Sequence, residues 1–514
     1  MSSVGWSELV SRRQAPRTAL VLLGIWLNAA DSLVTSTIMP SVARDLGGYA
    51  WFGWAVAIYL LGAILAAASA GQLAHRLGLA RAISLAALVY AAGCALGAVS
   101  PNITLFVAGR LGQGLGGGWV SGFCYVAISQ LFEERLWARV FGAAAGVWGV
   151  ASFLGPLVGG AFAEAGFWRG AFWVFAVSGV MLAAAAPWLL GAEHRKGNDE
   201  AARRPLAWRT LAVLSLAIIA IAAADVTEGA GRSLGLLAIG LALMFAAGWV
   251  NARPSERLLP LEALRPGTRA GAGYAFIFFM MAASAVFGVY GAAILQSVAR
   301  LTPLAAGYVV ASDAVGWTLT AIIVSGQPDR RHPAFILAGA VTINIGLVLL
   351  AWLIGGRAAW AVFIAGFVFG AGYGLAWSLA TRRILAALPT EDRAIGASAS
   401  PTTQMIGSAA GAALAGAIAN LLGLAHAFTP ERAAASAPWL FAAFLPLSLI
   451  GLAAAARLAR VAGPSGVGVR SGRLGFGGQE HHEEGQRREQ HQDRADDDQC
   501  VLVSRDGEHD ARPN

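Results

Sequence analysis

Long apolar runs alternate with short polar segments along most of the chain. An apolar run of about 18 residues or more can cross a bilayer as a helix. Six such runs are predicted first, at 18–40, 51–72, 82–100, 104–128, 139–163 and 170–191. Two follow at 207–226 and 233–251, and six more at 270–298, 304–325, 333–354, 359–380, 395–422 and 437–459. The pattern predicts fourteen spans. Twelve is the alternative, because the run at 207–226 is interrupted at Asp225 and a central pair leaves the sidedness of the chain unchanged.

The order of the runs predicts an all-α polytopic membrane protein of two six-helix pseudo-symmetric bundles with an inserted central helix pair. A polar stretch after the second run, residues 71–81, recurs in degraded form at 326–331, as expected of a transporter built from two related halves. The predicted divisions are a cytoplasmic N-terminus, an N-terminal bundle, a linker with the helix pair, a C-terminal bundle and a cytoplasmic tail: 1–17, 18–191, 192–269, 270–460 and 461–514. The tail is Gly-rich and then charged, so it is predicted to be disordered.

Composition supports a membrane environment and excludes several classes of protein. Hydrophobic residues make up 57% of the chain and charged residues 13%, whereas a soluble domain carries about 25% charged residues. A soluble enzyme, a nucleic-acid binder and a disulfide-stabilised secreted domain are therefore not expected. The three cysteines have no metal-site spacing. Neither a metal, a cofactor nor an enzymatic activity is predicted.

The basic residues predict the orientation in the membrane. The net charge is +8, but the excess lies in short segments between apolar runs. With the N-terminus inside, 21 Lys and Arg residues fall on the cytoplasmic side and 6 on the other, as the positive-inside rule requires. The chain enters its first span without a small-residue cleavage site. We expect a multi-pass protein of a bacterial inner membrane with both termini cytoplasmic.

Two charged residues inside predicted spans are the main functional candidates, because an ionisable group at mid-membrane is costly. Asp31 lies in the first span, and its helical spacing places Asn28 and Thr35 on the same polar face. Arg110 lies in the fourth span and shares a face with Gln113. Two interpretations remain open: a carboxylate that binds and releases a proton beside a guanidinium, and a permanent ion pair that fixes helix packing.

The fifth span contains a Gly-Pro-x-x-Gly-Gly segment formed by Gly155, Pro156, Gly159 and Gly160. In lipid, such glycines allow close helix contact and a proline allows a bend. The segment predicts either simple tight packing or a pliable helix that helps to seal one face of the protein.

Other polar and aromatic residues are weaker candidates. Asp313, in the tenth span, is a second candidate for proton coupling. Residues that could line a substrate cavity are Asn28, Gln113, Trp148, Tyr290, Gln296, Tyr373, Trp377 and Gln404. Aromatic residues at helical spacing are also common in a core or against lipid, and that alternative stays open.

These segments, in this order, resemble the major facilitator superfamily and, within it, the fourteen-span drug:proton antiporters. The resemblance covers about residues 15–460 and rests on five segments: 31–40, 71–81, 110–117, 146–160 and 295–307. They are similar to the family's first-helix aspartate motif, its loop signature, its fourth-helix arginine motif, its antiporter motif and its ninth-to-tenth span junction. The resemblance assigns gating and helix packing to Gly71, His75, Arg76, Gly78, Gly155, Pro156, Gly159 and Gly160.

One departure from the family pattern concerns the loop signature. The family has an aspartate where this chain has His75, and that acid caps a neighbouring helix and helps to hold the outward-open state. A histidine cannot accept an arginine's charge-assisted hydrogen bonds as a carboxylate does. Either the balance between states is shifted, or another acid, Glu133 or Glu134, substitutes.

The resemblance implies proton-coupled export of a small apolar or amphipathic compound by alternating access, with Asp31 binding the proton and Arg110 tuning it. One alternative is transport of a defined metabolite such as a vitamin, sugar acid or amino acid. A distant alternative is a polytopic membrane enzyme or sensor. The expected partners are a small-molecule substrate, protons and the lipid bilayer, with no nucleic acid, and the protein is expected to act as a monomer.

Overall fold

The computed structural model describes residues 6–11, 14–190, 206–226, 230–324, 327–389, 393–424 and 428–460, and within them the chain forms fifteen α-helices. The first six are α1 Ala15–Leu46, α2 Phe52–Leu77, α3 Leu79–Val99, α4 Ile103–Leu131, α5 Glu134–Glu164 and α6 Trp168–Leu190. The central pair is α7 Trp208–Val226 and α8 Ala230–Asn251. The remainder are α9 Arg269–Val298, α10 Pro303–Val324, α11 His332–Leu353, α12 Ala359–Ala387, α13 Arg393–Leu421, α14 Pro430–Ala442 and α15 Leu445–Arg460. The predicted tail, 461–514, lies outside the described residues.

The described helices are long and apolar enough for a polytopic membrane protein. Twelve helical segments of the described residues could each cross a bilayer, α14 and α15 counting together as one. Two predicted spans are not among those twelve. One is α4, a 29-residue helix that packs against α1, α2 and α3, and the other is α7, whose apolar stretch runs from Trp208 to Ala224. A helix therefore stands at each of the fourteen predicted positions.

Two helix boundaries differ from those expected from hydropathy. The polar residues predicted as a loop at 71–81 continue α2 as far as Leu77. The stretch has no proline before Gly78, and the single glycine Gly71 costs a helix only about 1 kcal/mol. Gly78 has a φ of 78°, a left-handed value that turns the chain directly into α3. The last predicted span, 437–459, is interrupted at 443–444, so the structure has two helices where one was expected. The first of them begins earlier, at Pro430, where the hydroxyl of Thr429 caps it.

Exposed tryptophans lie near helix ends, as expected for side chains at a membrane–water boundary. Trp188, Trp208 and Trp249 lie at the end predicted to be cytoplasmic, and Trp352 and Trp360 lie at the end predicted to be external. All five are at least 60% exposed. Their positions fit a bilayer around the helices.

The two groups of six spans pack in the same pattern. In the first group α1 contacts α5, α2 contacts α4, and α3 contacts α4 and α6. The second group repeats this with α9 and α13, α10 and α12, and α11 with α12 and α15. Between the groups, α2 packs on α13 and α5 packs on α10, which are equivalent pairs. We refer to α1–α6 as the N-half and to α9–α15 as the C-half.

The inserted pair lies at the side of the two halves. α7 contacts α2 of the N-half and α13 of the C-half, whereas α8 packs mainly against α7. Only 22% of the apolar window of α8 is buried. The pair is therefore a hairpin attached through α7, with α8 facing the surroundings.

Candidate functional site

A buried polar cluster joins α1 to α4 in the N-half. Asp31, near the middle of α1, is fully buried, and Arg110 of α4 is 3% exposed. Arg110 Nη1 lies 3.3 Å from Asp31 Oδ2 and 3.4 Å from Asp31 Oδ1. Gln113 Nε2 donates to Asp31 Oδ1 at 2.6 Å, and its own Oε1 accepts from Arg110 Nη1 at 2.7 Å. The three side chains thus form a closed ring of hydrogen bonds.

Residues of α1 and α2 complete the surroundings of the guanidinium. Thr35, one turn after Asp31, donates to Asp31 Oδ1 at 3.3 Å. Arg110 Nε donates to the carbonyl oxygen of Ala55 at 3.3 Å. The ring of Tyr59 lies 4.3 Å from Arg110 Cζ, and its hydroxyl donates to Asn28 Oδ1 at 2.8 Å. The predicted residues Asn28, Asp31, Arg110 and Gln113 therefore belong to one connected cluster.

Tyr59 was not predicted from the sequence, although the glycines of α4 carried a signal for it. A Cβ added at Gly114 would collide with the backbone of Tyr59, and one at Gly117 would lie 3.1 Å from its hydroxyl. Small residues in α4 therefore leave the space that a bulky side chain of α2 occupies. This close approach brings the aromatic face over Arg110, where a cation–π contact stabilises the charge.

The chemistry of the cluster centres on one carboxylate and one cation. Both are removed from water, and each is costly to bury without the other. Within the described part of the chain, Arg110 Nη1 donates to Asp31 and to neutral oxygens of Thr35 and Gln113. Neutralising the carboxylate would leave the guanidinium with neutral acceptors and with the face of Tyr59. The arrangement can therefore hold two charge states of Asp31 without losing all partners of Arg110.

Asp313 belongs to a separate cluster in the C-half. This residue is half-buried in α10, and among the described residues its carboxylate has no side-chain hydrogen bond or ion pair. One turn later, Trp317 stacks on Tyr373 with ring centroids 5.2 Å apart and lies 5.4 Å from Trp377. Tyr373 is buried and donates to the carbonyl oxygen of Met280 at 2.6 Å. The structure thus places Asp313 near predicted cavity aromatics, and among the described residues it makes no hydrogen bond with the Asp31 ring.

The glycine and proline segment of α5 lies where the two halves meet. A Cβ added at Gly160 would lie 2.5 Å from the Cα of Leu304, and one at Gly155 would lie 2.6 Å from the Cβ of Leu33. Pro156 and Thr37 approach Gly307 of α10. Gly159 likewise packs against Val34 and Thr37 of α1. These contacts hold α5 against α1 and α10 in the part of α5 nearest the predicted external end.

Other contacts between the halves lie at the same end. Tyr49 stacks on Phe428 with centroids 5.1 Å apart and an interplanar angle of 10°. Tyr290 of α9, a predicted cavity residue, is buried and packs at 5.6 Å against Phe52. The carboxylate of Glu164 accepts the backbone N–H of Leu304 at 3.3 Å. Aromatic packing and helix capping therefore join the halves at this end.

A cavity of about 420 Å³ lies between the halves beside these contacts. Arg44, Glu164, Gln296 and Phe428 are among its lining residues. Of the residues predicted to line a cavity, Gln296 is the one found here. Its Nε2 is shielded from water and makes no hydrogen bond within the described structure.

The remaining predicted residues are more exposed. Trp148 is 44% exposed in α5, and Gln404 is half-buried in α13. A Cβ added at Gly71 would meet no atom within 4 Å. Both His75 and Arg76 are exposed at the end of α2, where neither forms an ion pair within the described part of the chain.

The two acids considered as substitutes for the loop aspartate lie at the start of α5. Glu133 is exposed, and the side chain of Glu134 lies outside the described residues. Among the described residues, no group of three or more His, Cys, Asp or Glu side chains is placed to hold a metal ion.

Comparisons with known proteins agree with this architecture. A protein named probable multidrug-efflux transporter from Mycobacterium tuberculosis is 30% identical over 432 residues, covering 81% of this chain and 89% of that protein. The multidrug transporter protein MdtP of Bacillus subtilis is 24% identical over 425 residues, covering 79% of this chain and 76% of the relative.

Solved transporter structures share the fold. A bacterial homologue of the human lysosomal transporter Spinster, inward-facing and unoccupied, superposes with a TM-score of 0.62 at 14% identity, covering 88% of this chain and 98% of that one. A nucleoside transporter, NupG, gives a TM-score of 0.59 at 12% identity, covering 86% and 99%. At such identities the likeness concerns the fold alone. The family model described as Major Facilitator Superfamily matches residues 21–353, well over half of the chain. This all-helical membrane protein with two equivalent halves thus belongs to the Major Facilitator Superfamily of transporters.

Proposed function

We propose that the protein is a secondary active transporter that couples proton entry to the efflux of small apolar or amphipathic compounds. It works by alternating access in a bacterial inner membrane, with both termini in the cytoplasm. Two relatives that span most of the chain carry names that describe multidrug efflux or transport. A relative at 30% identity supports the class of transport and leaves the substrate open.

The observation that carries the proposal is the buried ring of Asp31, Arg110 and Gln113. A carboxylate at mid-membrane is costly, and among the described residues this one has a single cationic partner, 3.3 Å away. When Asp31 binds a proton, its ion pair with Arg110 is lost, and across the α1–α4 contact the guanidinium keeps only neutral acceptors. Proton binding thereby changes the energy of the contact between two helices of the N-half. This gives the transporter a site at which the proton gradient can act.

The packing between the halves supports the second part of the proposal, alternating access. Contacts of α5 with α1 and α10 hold the predicted external end together. Toward the predicted cytoplasmic end, a Cβ added at Gly146 or Gly149 of α5 would meet no atom within 4 Å. Contacts between the halves at the predicted external end fit an inward-facing state, in which substrate enters from the cytoplasm. Transport then requires that the external contacts break and that contacts form at the other end.

The test replaces Asp31 by asparagine in purified protein reconstituted into vesicles. An amphipathic dye exported by the unaltered protein serves as substrate, and a pH gradient is imposed across the vesicle membrane. Because asparagine keeps a hydrogen-bonding oxygen but cannot bind the proton, we expect gradient-driven dye movement to fall at least about tenfold while dye binding persists. The measurement compares initial rates with and without the gradient.

The matched control is Asp45→Asn in the same helix. Asp45 is exposed and pairs with Arg169 at 3.5 Å near the predicted external end. This control should keep gradient-driven transport. Full gradient-driven rates in Asp31→Asn would reject the coupling role. Gradient-driven dye movement in the opposite direction, toward the cytoplasmic side of the protein, would reject efflux and favour metabolite uptake.

A further inference from the structure

The open end of the α7–α8 hairpin carries arginines next to exposed tryptophans. Because the two helices are antiparallel, Trp208 at the start of α7 and Trp249 near the end of α8 lie at the same end. They are 60% and 70% exposed. Arg209 Cζ lies 5.2 Å from the ring of Trp208, and Arg253 Cζ lies 4.9 Å from the ring of Trp249. Tryptophan and arginine together are typical of side chains at the boundary between hydrocarbon and headgroups.

The acids of this region are already engaged by other groups. Glu256 is buried, accepts the backbone N–H of Arg209 at 2.9 Å and lies 3.8 Å from Arg209 Nε. Its carboxylate therefore caps the first turn of α7 and neutralises Arg209. Glu262 pairs with Arg265 at 3.5 Å.

Two arginines of the same segment have no acidic partner. Among the described residues, neither Arg253 nor Arg257 forms an ion pair. Arg257 Nε is shielded from water and makes no hydrogen bond. The guanidinium of Arg257 therefore lacks a full set of partners, which is costly. Because the residue as a whole is only half-buried, an anion outside the chain can pair with this guanidinium.

The two arginines are held close together by the backbone. The single 3-10 turn Pro254–Glu256 separates them. Asn251, the buried last residue of α8, accepts the backbone N–H groups of Leu258 and Leu259 at 2.8 and 2.9 Å and donates to the carbonyl oxygen of Leu259 at 3.0 Å. The chain that follows Arg257 is therefore fixed against the end of α8. The backbone that carries both arginines is thus fixed before any ligand binds.

We propose that Arg253 and Arg257 form a binding site for the headgroup phosphate of an anionic phospholipid, with Trp249 beside its glycerol and acyl region. Guanidinium groups bind phosphate through several parallel hydrogen bonds. The lipid-facing surface of α8 and the exposed tryptophans favour a lipid over a soluble phosphate. The inference depends on the membrane location of the hairpin and is independent of the transported substrate and of proton coupling.

The test measures phospholipid binding to the full chain by native mass spectrometry and by thermal stability in detergent. Phosphatidylglycerol, phosphatidylcholine and inorganic phosphate are each titrated as probes. We expect phosphatidylglycerol to bind and stabilise the protein and the other two to have little effect. In Arg253→Gln with Arg257→Gln, phosphatidylglycerol affinity should fall about 25-fold, since each basic side chain near a bilayer surface contributes roughly a factor of five.

Two further variants separate this site from general charge and from misfolding. Arg330→Gln with Arg331→Gln removes two exposed arginines from the connection between α10 and α11, and it should retain phosphatidylglycerol binding. Arg253→Lys with Arg257→Lys keeps the positive charge and should retain most of the phosphatidylglycerol binding. Equal loss in the control pair, unchanged binding in the Arg253 and Arg257 glutamine variant, or equal stabilisation by inorganic phosphate would each overturn the proposal.

Discussion

At the scale of single residues, Gln113 is as important to the buried ring as the two charges. Its amide donates to Asp31 at 2.6 Å and accepts from Arg110 at 2.7 Å, whereas the direct distances between the charged groups are 3.3 and 3.4 Å. The shorter bonds pass through the neutral side chain. Gln113 therefore holds the carboxylate and the guanidinium in fixed positions relative to each other. It remains a hydrogen-bond partner for both groups when the charge of Asp31 changes.

The energetic coupling of the ring can be measured with a double-mutant cycle. Arg110→Gln leaves a buried carboxylate without a cation, so the free energy of unfolding should fall by about 3–5 kcal/mol. Combining it with Asp31→Asn removes the remaining charge, and most of that loss should be recovered. Thermal unfolding in detergent gives the comparison. Losses that simply add in the double variant would show that the two charges are not energetically coupled.

The residues of this ring were accessible from the sequence to different degrees. Asp31 and Arg110 stand out because a charge inside an apolar run is rare, and helical spacing adds Asn28 and Gln113. Tyr59 does not stand out, because one tyrosine in an apolar helix has many possible partners. Only the packing of α2 against the glycines of α4 determines which way its ring faces.

At the scale of elements, α5 combines two environments along one helix. Its segment from Gly155 to Glu164 is packed against α1 and α10, whereas a Cβ added at Gly146 or Gly149 would meet no atom within 4 Å. The amino-acid composition alone could not distinguish the tightly packed part of α5 from the open part, since glycines are frequent in both. The contacts with Leu33 and Leu304 distinguish a glycine that allows close approach from one that does not.

This difference predicts that the same substitution, glycine to alanine, loosens the contact between the halves at one position of α5 and leaves it unchanged at another. Gly160→Ala would place a Cβ 2.5 Å from the Cα of Leu304 and should loosen the α5–α10 contact. Gly149→Ala meets nothing within 4 Å and should stabilise the helix by roughly 0.5–1 kcal/mol. The reporter is Ser297→Cys in a Cys500→Ser background, labelled by a membrane-impermeant maleimide, because Ser297 lines the cavity at the predicted external end.

We expect labelling to accelerate several-fold in Gly160→Ala and to stay unchanged in Gly149→Ala. Equal labelling rates in the two variants would mean that the close approach at Gly160 does not hold this end closed.

At the scale of the whole molecule, the two halves contact each other through equivalent helices. The repeated polar stretch and the order of apolar runs were sufficient to predict two related halves and a central pair. They could not predict that α7 contacts both α2 and α13, because hydropathy carries no information on which helices become neighbours. Nor could they show which end of the bundle is closed, since that depends on contacts between residues far apart in sequence.

The closure of the external end includes a polar contact that joins the halves directly. Glu164, the last residue of α5, accepts the N–H of Leu304 in the first turn of α10, where the helix dipole favours a negative charge. Glu164→Gln removes that charge while keeping a hydrogen-bonding oxygen, and a helix-terminal charge contributes about 0.3–1 kcal/mol. We therefore expect the external end to open more often, with Ser297→Cys labelled about two- to fivefold faster. Glu431→Gln, an exposed acid in the first turn of α14 within the C-half, should leave the rate unchanged. An unchanged labelling rate in Glu164→Gln, or an equal increase in Glu431→Gln, would show that the Glu164 carboxylate does not hold the two halves together.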